Sequence, residues 1–109
     1  MIVVTTDFIP GKTITETLGV VRGNTIRARH LGKDILAGLK NLIGGEIEEY
    51  TKMIAESREQ SLDRMITEAE RLGADAIICV RFMTASMMQN AAELLAYGTA
   101  VKLENQSSD

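Results

Sequence analysis

Cys79, Met83 and Met87 follow one another at four-residue intervals in an apolar stretch, and all three carry sulfur. A thiolate with thioethers is the donor set that a soft heavy-metal ion prefers. If the stretch is a strand, however, positions 79 and 83 stand roughly 13 Å apart. Two ligands of one ion, each about 2.3 Å from it, must lie within a few ångströms of each other. There is no C-x-x-C pair, and the single histidine, His30, is distant in sequence. A soft metal ion held by Cys79 and Met83 therefore requires a site shared between copies of the chain. The alternative is structural: free cysteine is among the most buried residue types, and Cys79 then serves as a small hydrophobe.

Other residues of chemical interest divide in the same way. His30 as a general base needs an orienting carboxylate and a nucleophile, and only Asp34 lies close in sequence, so a capping or surface role is simpler. Gly44-Gly45 ahead of a helix can cradle an anion through unpaired N–H groups. Glu46, Glu48 and Glu49 occupy the same turn and repel a phosphate, and neither the Walker spacing nor G-x-G-x-x-G is present. A tight helix-to-helix turn is the reading that survives. Glu93 lies in phase with Leu95 and Tyr97 on an apolar stretch, where an unpaired carboxylate is costly to bury. Arg81 is its expected partner across a hairpin. The pair is either a structural ion pair or, with Tyr97 and Tyr50, a set of polar groups around a small ligand. Glu56, Glu59, Glu68 and Glu70 have Arg58, Arg64 and Arg71 at helical spacing, the pattern of a solvated face.

The elements that must position these groups are marked by periodicity and punctuation. Ile2-Val3-Val4 is a short strand, and Pro10-Gly11 a turn. Thr13–Val21 and Asn24–Arg29 are expected as strands joined by a turn or bulge at Arg22-Gly23-Asn24. Leu31, Ile35, Leu36, Leu39, Leu42 and Ile43 recur as on a helix, which Gly44-Gly45 closes. A second, longer helix runs from about Ile47 to Leu72. Acids fill its first turn, Arg71 lies in its last, and Gly73 stands just beyond. Its apolar stripe is broken by Ser57, Arg58 and Ser61, which suggests a bend away from the core or a wet subunit contact. Ala76–Met83 alternates with both faces apolar, Ala76, Ile78, Val80 and Phe82 against Ile77, Cys79, Arg81 and Met83, as in a strand covered on two sides. Met87-Met88-Gln89-Asn90 connects it to Ala91–Leu103, whose face Ala96-Gly98-Ala100 admits a closely approaching helix or subunit. Residues 1–103 form one domain, and 104–109 a polar tail.

At 109 residues, 45% apolar and 25% charged, the chain is globular. A domain of this size buries a modest share of its surface, which favours oligomerisation. Without Trp and with two Tyr and two Phe, its core is aliphatic. The net charge of −3, the lack of a basic run and the scarcity of aromatics argue against nucleic acid as a partner. One cysteine cannot form an internal disulfide and fits a reducing compartment. Neither a signal peptide nor an 18-residue apolar window is found, so a cytoplasmic protein without a membrane partner is expected.

Taken in order, Gly44-Gly45-Glu46, Tyr50-Thr51, Arg58, Arg64-Met65, Leu72-Gly73-Ala74-Asp75-Ala76 and Tyr97-Gly98-Thr99-Ala100-Val101 resemble the YbjQ-like family, over about Ile2 to Leu103. The resemblance implies an α/β (α+β) fold of two layers, an antiparallel sheet packed with a long helix and a shorter helix. Such a chain is similar to the dodecin subunit and assembles as a ring-like homopentamer. It also implies structural roles for Gly44, Gly45, Glu46, Gly73 and Gly98. The family is described as heavy-metal-binding, with no established biochemical role. Many of its members carry glycine at the position of Cys79, so a thiolate there is not a ligand common to the family.

Three functions follow. The first is a homo-oligomeric binding or scaffold protein, its subunits packed through Ala96-Gly98-Ala100 and the strand Ala76–Met83. The second is a soft-metal protein with Cys79 and Met83 at an inter-subunit site. The third is an enzyme on a small ligand at a subunit interface, with Glu93, Tyr97, Tyr50 and Arg81 around it, though no nucleophile–base pair can be named. The ligand in each case is unidentified.

Overall fold

Among the described residues, long runs of β-branched residues on either side of an amphipathic helix give a sheet with that helix across it. The computed structural model describes residues 1–27, 44–88 and 91–106. Strand β1 is Ile2–Val3, β2 is Lys12–Arg27, helix α1 is Gly44–Arg71, β3 is Ala76–Met88 and β4 is Ala91–Asn105. The four strands form one sheet in the order β1-β3-β4-β2. β4 pairs antiparallel with both β2 and β3, whereas β1 lies parallel to β3, with Ile2 opposite Ala76 and Val3 opposite Ile77. The sheet is therefore mixed, not purely antiparallel. The shorter helix expected before Gly44, and His30 with it, lie outside the described residues.

Helix α1 ends as its sequence directs. Gly73 takes a φ of 78°, Gly73 N–H donates to the Glu70 carbonyl at 3.0 Å, and Ala74 N–H reaches back to Ala69 at 3.0 Å. This is the Schellman arrangement, in which a left-handed residue, usually glycine, lets two orphan carbonyls be satisfied. The next residue ties the helix end to the sheet. Asp75 N–H donates to the Val101 carbonyl, and the Asp75 carboxylate accepts from Leu103 N–H, each at 2.9 Å. At the other end Gly44 and Gly45 lie within α1 rather than in a turn ahead of it.

The helix lies on β2 and β4 and buries Val21, Met65, Ala69, Ile77, Val80, Ala96 and Ala100 in one cluster. Small residues set its distance. A Cβ on Gly23 would fall 2.2 Å from the Ser61 carbonyl oxygen and 2.4 Å from Met65 N, so the helix backbone rests on the strand at that point. Gly23 accordingly marks no break: β2 runs unbroken from Lys12 to Arg27, and its irregularities lie earlier, between Ile14 and Glu16 and between Thr17 and Gly19. Ser57 and Ser61, 1% and 0% exposed, belong to the same contact. Ser61 Oγ donates to the Leu94 carbonyl at 3.1 Å and lies 3.3 Å from Thr25 Oγ1. The polar break in the apolar stripe is thus the seam between helix and sheet, neither a bend into solvent nor a subunit contact.

β3 contains a bulge. Ile78 faces Thr99 and Arg81 faces Tyr97, so Cys79 and Val80 together stand opposite Gly98. The extra residue re-phases the strand: Ile77, Val80 and Phe82 turn to the helix side, Ile78, Arg81 and Met83 to the other. Strict alternation through position 79 is therefore lost, and the two-sided cover ends at Val80, since Arg81, Phe82 and Met83 are exposed. Gly98 makes room for the bulge, as a Cβ there would meet Ile77 Cγ2 at 2.7 Å and the Ile78 carbonyl oxygen at 2.9 Å. Ala96 and Ala100 are covered by the chain's own helix, so the small-residue face packs within the chain instead of between subunits. β4 continues through Glu104 and Asn105, and Gln106 N–H donates to the Gly11 carbonyl at 3.0 Å. Order thus extends past Leu103.

Among the described residues no helix is long and apolar enough to cross a membrane.

Candidate functional site

Alternation on β4 puts Ala96, Gly98 and Ala100 under the helix and Glu93, Leu95, Tyr97 and Thr99 on the opposite face of the sheet. The register carries this face across three strands. Arg22 of β2 and Arg81 of β3 both lie directly opposite Tyr97. One step along, Asn24, Leu95 and Met83 form the next row, and Ile26, Glu93 and Ala85 the row after. Arg22, Asn24, Arg81 and Ala85 are exposed, and the β4 residues between them half-buried. Large apolar side chains frame the polar row, with Val20 64%, Ile26 55% and Met83 54% exposed.

The polar groups on this face are largely engaged. Asn24 Nδ2 donates to Glu93 Oε2 at 3.0 Å, and the Asn24 carbonyl accepts from Arg64 of α1. Arg81 Nη1 donates to the Thr5 carbonyl at 2.9 Å and to that of Val80 at 2.8 Å. The expected Arg81–Glu93 ion pair is therefore replaced by an Asn24–Glu93 bond. The register explains why: Glu93 sits opposite Ala85, four residues along β3 from Arg81, or roughly 13 Å at strand spacing.

Of the four residues expected around a small ligand, three share this face: Glu93, Tyr97 and Arg81. Tyr50 belongs to α1, which packs on the other side of the sheet. Arg22 and Asn24 join the face although Arg22-Gly23-Asn24 has the residue types of a turn or bulge. The signal for them is the alternation Val21, Gly23, Thr25 against Arg22, Asn24, Ile26, which runs through Gly23 without a break. Chemically the row offers two guanidinium groups flanking a phenol, a geometry for binding a flat or anionic group. None of the three expected residues supplies a nucleophile beside a base.

The sulfur ligands fit a metal poorly within one copy. Cys79 is half-buried at the bulge, with φ 56° and its N–H donating to the Thr6 carbonyl at 2.9 Å. Met83 lies beyond the bulge on the open face, a strand distance away. No group of three His, Cys, Asp or Glu among the described residues is placed to hold a metal ion.

Known proteins bear on this geometry. A family model described as "Putative heavy-metal-binding" matches residues 1–104. The UPF0145 protein of Methanosarcina acetivorans is 58% identical over 106 residues, covering 97% of this chain and all of that one. Those of Archaeoglobus fulgidus and Fervidobacterium nodosum are 61% and 62% identical, covering 94% and 98% of this chain and 95% and 99% of theirs. A crystal structure of a protein with unknown function of the DUF74 family, from Pediococcus pentosaceus, has the same fold. Its TM-score is 0.64 at 19% identity, over 95% of this chain and 98% of that one. With residues 1–104 matched by the family model and with relatives of nearly equal size, the chain belongs to the YbjQ family, alongside the UPF0145 proteins.

Proposed function

We propose that this protein is a cytoplasmic homopentameric binding or scaffold module, in which assembly covers apolar surface that the single chain leaves bare. The observation that carries this reading is the shape of the protomer. It extends 64 × 24 × 16 Å with a radius of gyration of 17.8 Å, against about 13 Å for a compact domain of some 100 residues. Among the described residues Val20, Ile26, Phe82 and Met83 stand exposed along the sheet. Neighbouring copies that cover these residues supply the burial a small domain lacks. The polar row Arg22–Tyr97–Arg81 is then the surface on which the assembly holds a small ligand.

Native mass spectrometry of untagged protein under reducing conditions tests the assembly. A five-fold mass is expected, and a clean monomer at micromolar concentration refutes it. The family description favours a second reading, a soft metal ion shared between copies at Cys79. The same spectra then show a stoichiometric metal adduct that Cys79→Ser abolishes. If reduced wild-type protein takes up none, that reading ends.

A further inference from the structure

Edge strands present unpaired N–H and C=O groups, and proteins guard them with charge, proline, bulges or a covering element. The edge of β3 is guarded over its first half. β1 pairs with Ala76 and Ile77, and Val4 and Thr6 then accept from Val80 N–H and Cys79 N–H at 3.0 and 2.9 Å. Among the described residues no such guard follows from Phe82 to Met88. That segment, Phe82-Met83-Thr84-Ala85-Ser86-Met87-Met88, has no charge and no proline, follows regular register with β4 as far as Ser86, and has no neighbour on its other side among the described residues. A row of strand groups of this kind matches another strand and little else.

The opposite edge of the sheet is β2, and it is guarded in the complementary place. Its first half carries two bulges, at Ile14/Glu16 and Thr17/Gly19, together with Lys12 and Glu16. From Val20 to Arg27 it is regular. Its part Gly23–Arg27 lies level with Phe82–Ser86 of β3, since Gly23 and Phe82 both face Ala96 and Arg27 and Ser86 both face Ala92. Over that overlap neither edge has a strand neighbour among the described residues, Arg64 bonding to the Asn24 carbonyl on β2, and the two strands run in the same direction.

We propose that β3 of one copy, over Phe82–Met88, pairs in parallel with β2 of the next copy, over Val20–Arg27, so that the sheet continues from subunit to subunit. The inference rests on the ring reading above, because a ring with an odd number of copies is built from head-to-tail contacts between two different surfaces. Charge agrees with the choice of partner. Pairing β2 with a second β2 brings Arg22 of both copies onto one face and Arg27 of both onto the other, with no acid in the stretch, and like charges across a pair are destabilising. The uncharged β3 edge brings no such conflict.

Hydrogen exchange on the wild-type assembly, with the Thr84→Pro variant beside it, tests the pairing. Val80 N–H points to the β1 side, so alternation along the strand sends the N–H groups of Phe82 and Thr84 outward too, away from β4. Proline at 84 removes an outward donor and leaves the β4 ladder intact. Every amide in the peptide Phe82–Met88 is expected to exchange at least about 100-fold more slowly than in an unfolded chain. Thr84→Pro is expected to give folded monomers with unchanged helical circular dichroism. Five copies in which half of those amides exchange fast, or a Thr84→Pro protein that still assembles, overturns the pairing and spares the ring. A monomeric wild type removes both. Should Thr84→Pro fail to fold, exchange on the wild type decides alone.

Discussion

Cys79 holds a left-handed backbone conformation, φ 56°, that an L side chain adopts at a cost of about 1–2 kcal/mol and glycine does not. The strain belongs to the bulge, where Cys79 and Val80 together stand opposite Gly98. Glycine at 79 is accordingly expected to be more stable than alanine there by about 1 kcal/mol, read as the difference in urea midpoints between Cys79→Gly and Cys79→Ala. Equal stability would place the strain elsewhere. The expectation that members of the family carry glycine at this position thereby acquires a local reason. The sequence pattern alone offers no hint of it, since Cys79 sits in an unbroken apolar run and nothing in side-chain chemistry announces a positive φ. Glu93 and Tyr97 were legible as one face because β4 alternates cleanly, whereas the bulge hides the face of Arg81. Arg22 and Asn24 were not, because the glycine between them has the residue type of a turn and the function of a contact.

At the level of elements, the union of α1 with β2 depends on Gly23 and Ser61. Any side chain at 23 meets helix backbone, which cannot rotate away as a side chain can. Gly23→Ala is therefore expected to cost about 3 kcal/mol, at the upper end of overpacking. Gly11→Ala is the comparison without a clash: the added methyl meets nothing within 4 Å, and only the left-handed backbone, φ 78°, opposes it, at about 1–2 kcal/mol. The thermal midpoint is expected to fall further for Gly23→Ala, and an equal or smaller drop there would mean that the crossing yields to the methyl. The extent of α1 was legible from its caps and stripe, but the role of its serines was not. Hydropathy cannot distinguish a small polar residue that satisfies a strand carbonyl from one that faces water. The parallel pairing of β1 was equally hidden, for a two-residue strand carries too little pattern to declare its neighbour.

For the whole molecule, the proposed assembly predicts that neighbouring copies add stability by mass action, through the apolar side chains Val20, Ile26 and Met83 on the sheet. The thermal midpoint is thus expected to rise with protein concentration between about 1 and 100 μM, as followed by circular dichroism. A midpoint independent of concentration, in protein shown to be monomeric throughout, would mean that the single chain is self-sufficient. The architecture as a whole, strands around one long helix, followed from periodicity and punctuation. Its mixed topology and its open edges are properties of pairing, and they appear only once the strands are placed side by side.

The bulge at Cys79 has a consequence for how the chain can change length. Removing residue 79 sets Val80 alone opposite Gly98, with Ile78 still against Thr99 and Arg81 against Tyr97, so every later side chain keeps its face. On the other flank, Val4 would then bond to Ile77 and Val80 as in an unbroken parallel ladder, and only the Thr6 carbonyl would lose its donor. Position 79 therefore behaves as an inserted letter that the fold can delete without a frameshift in its pattern. Chains one residue shorter at this point can share the same sheet, helix and open face.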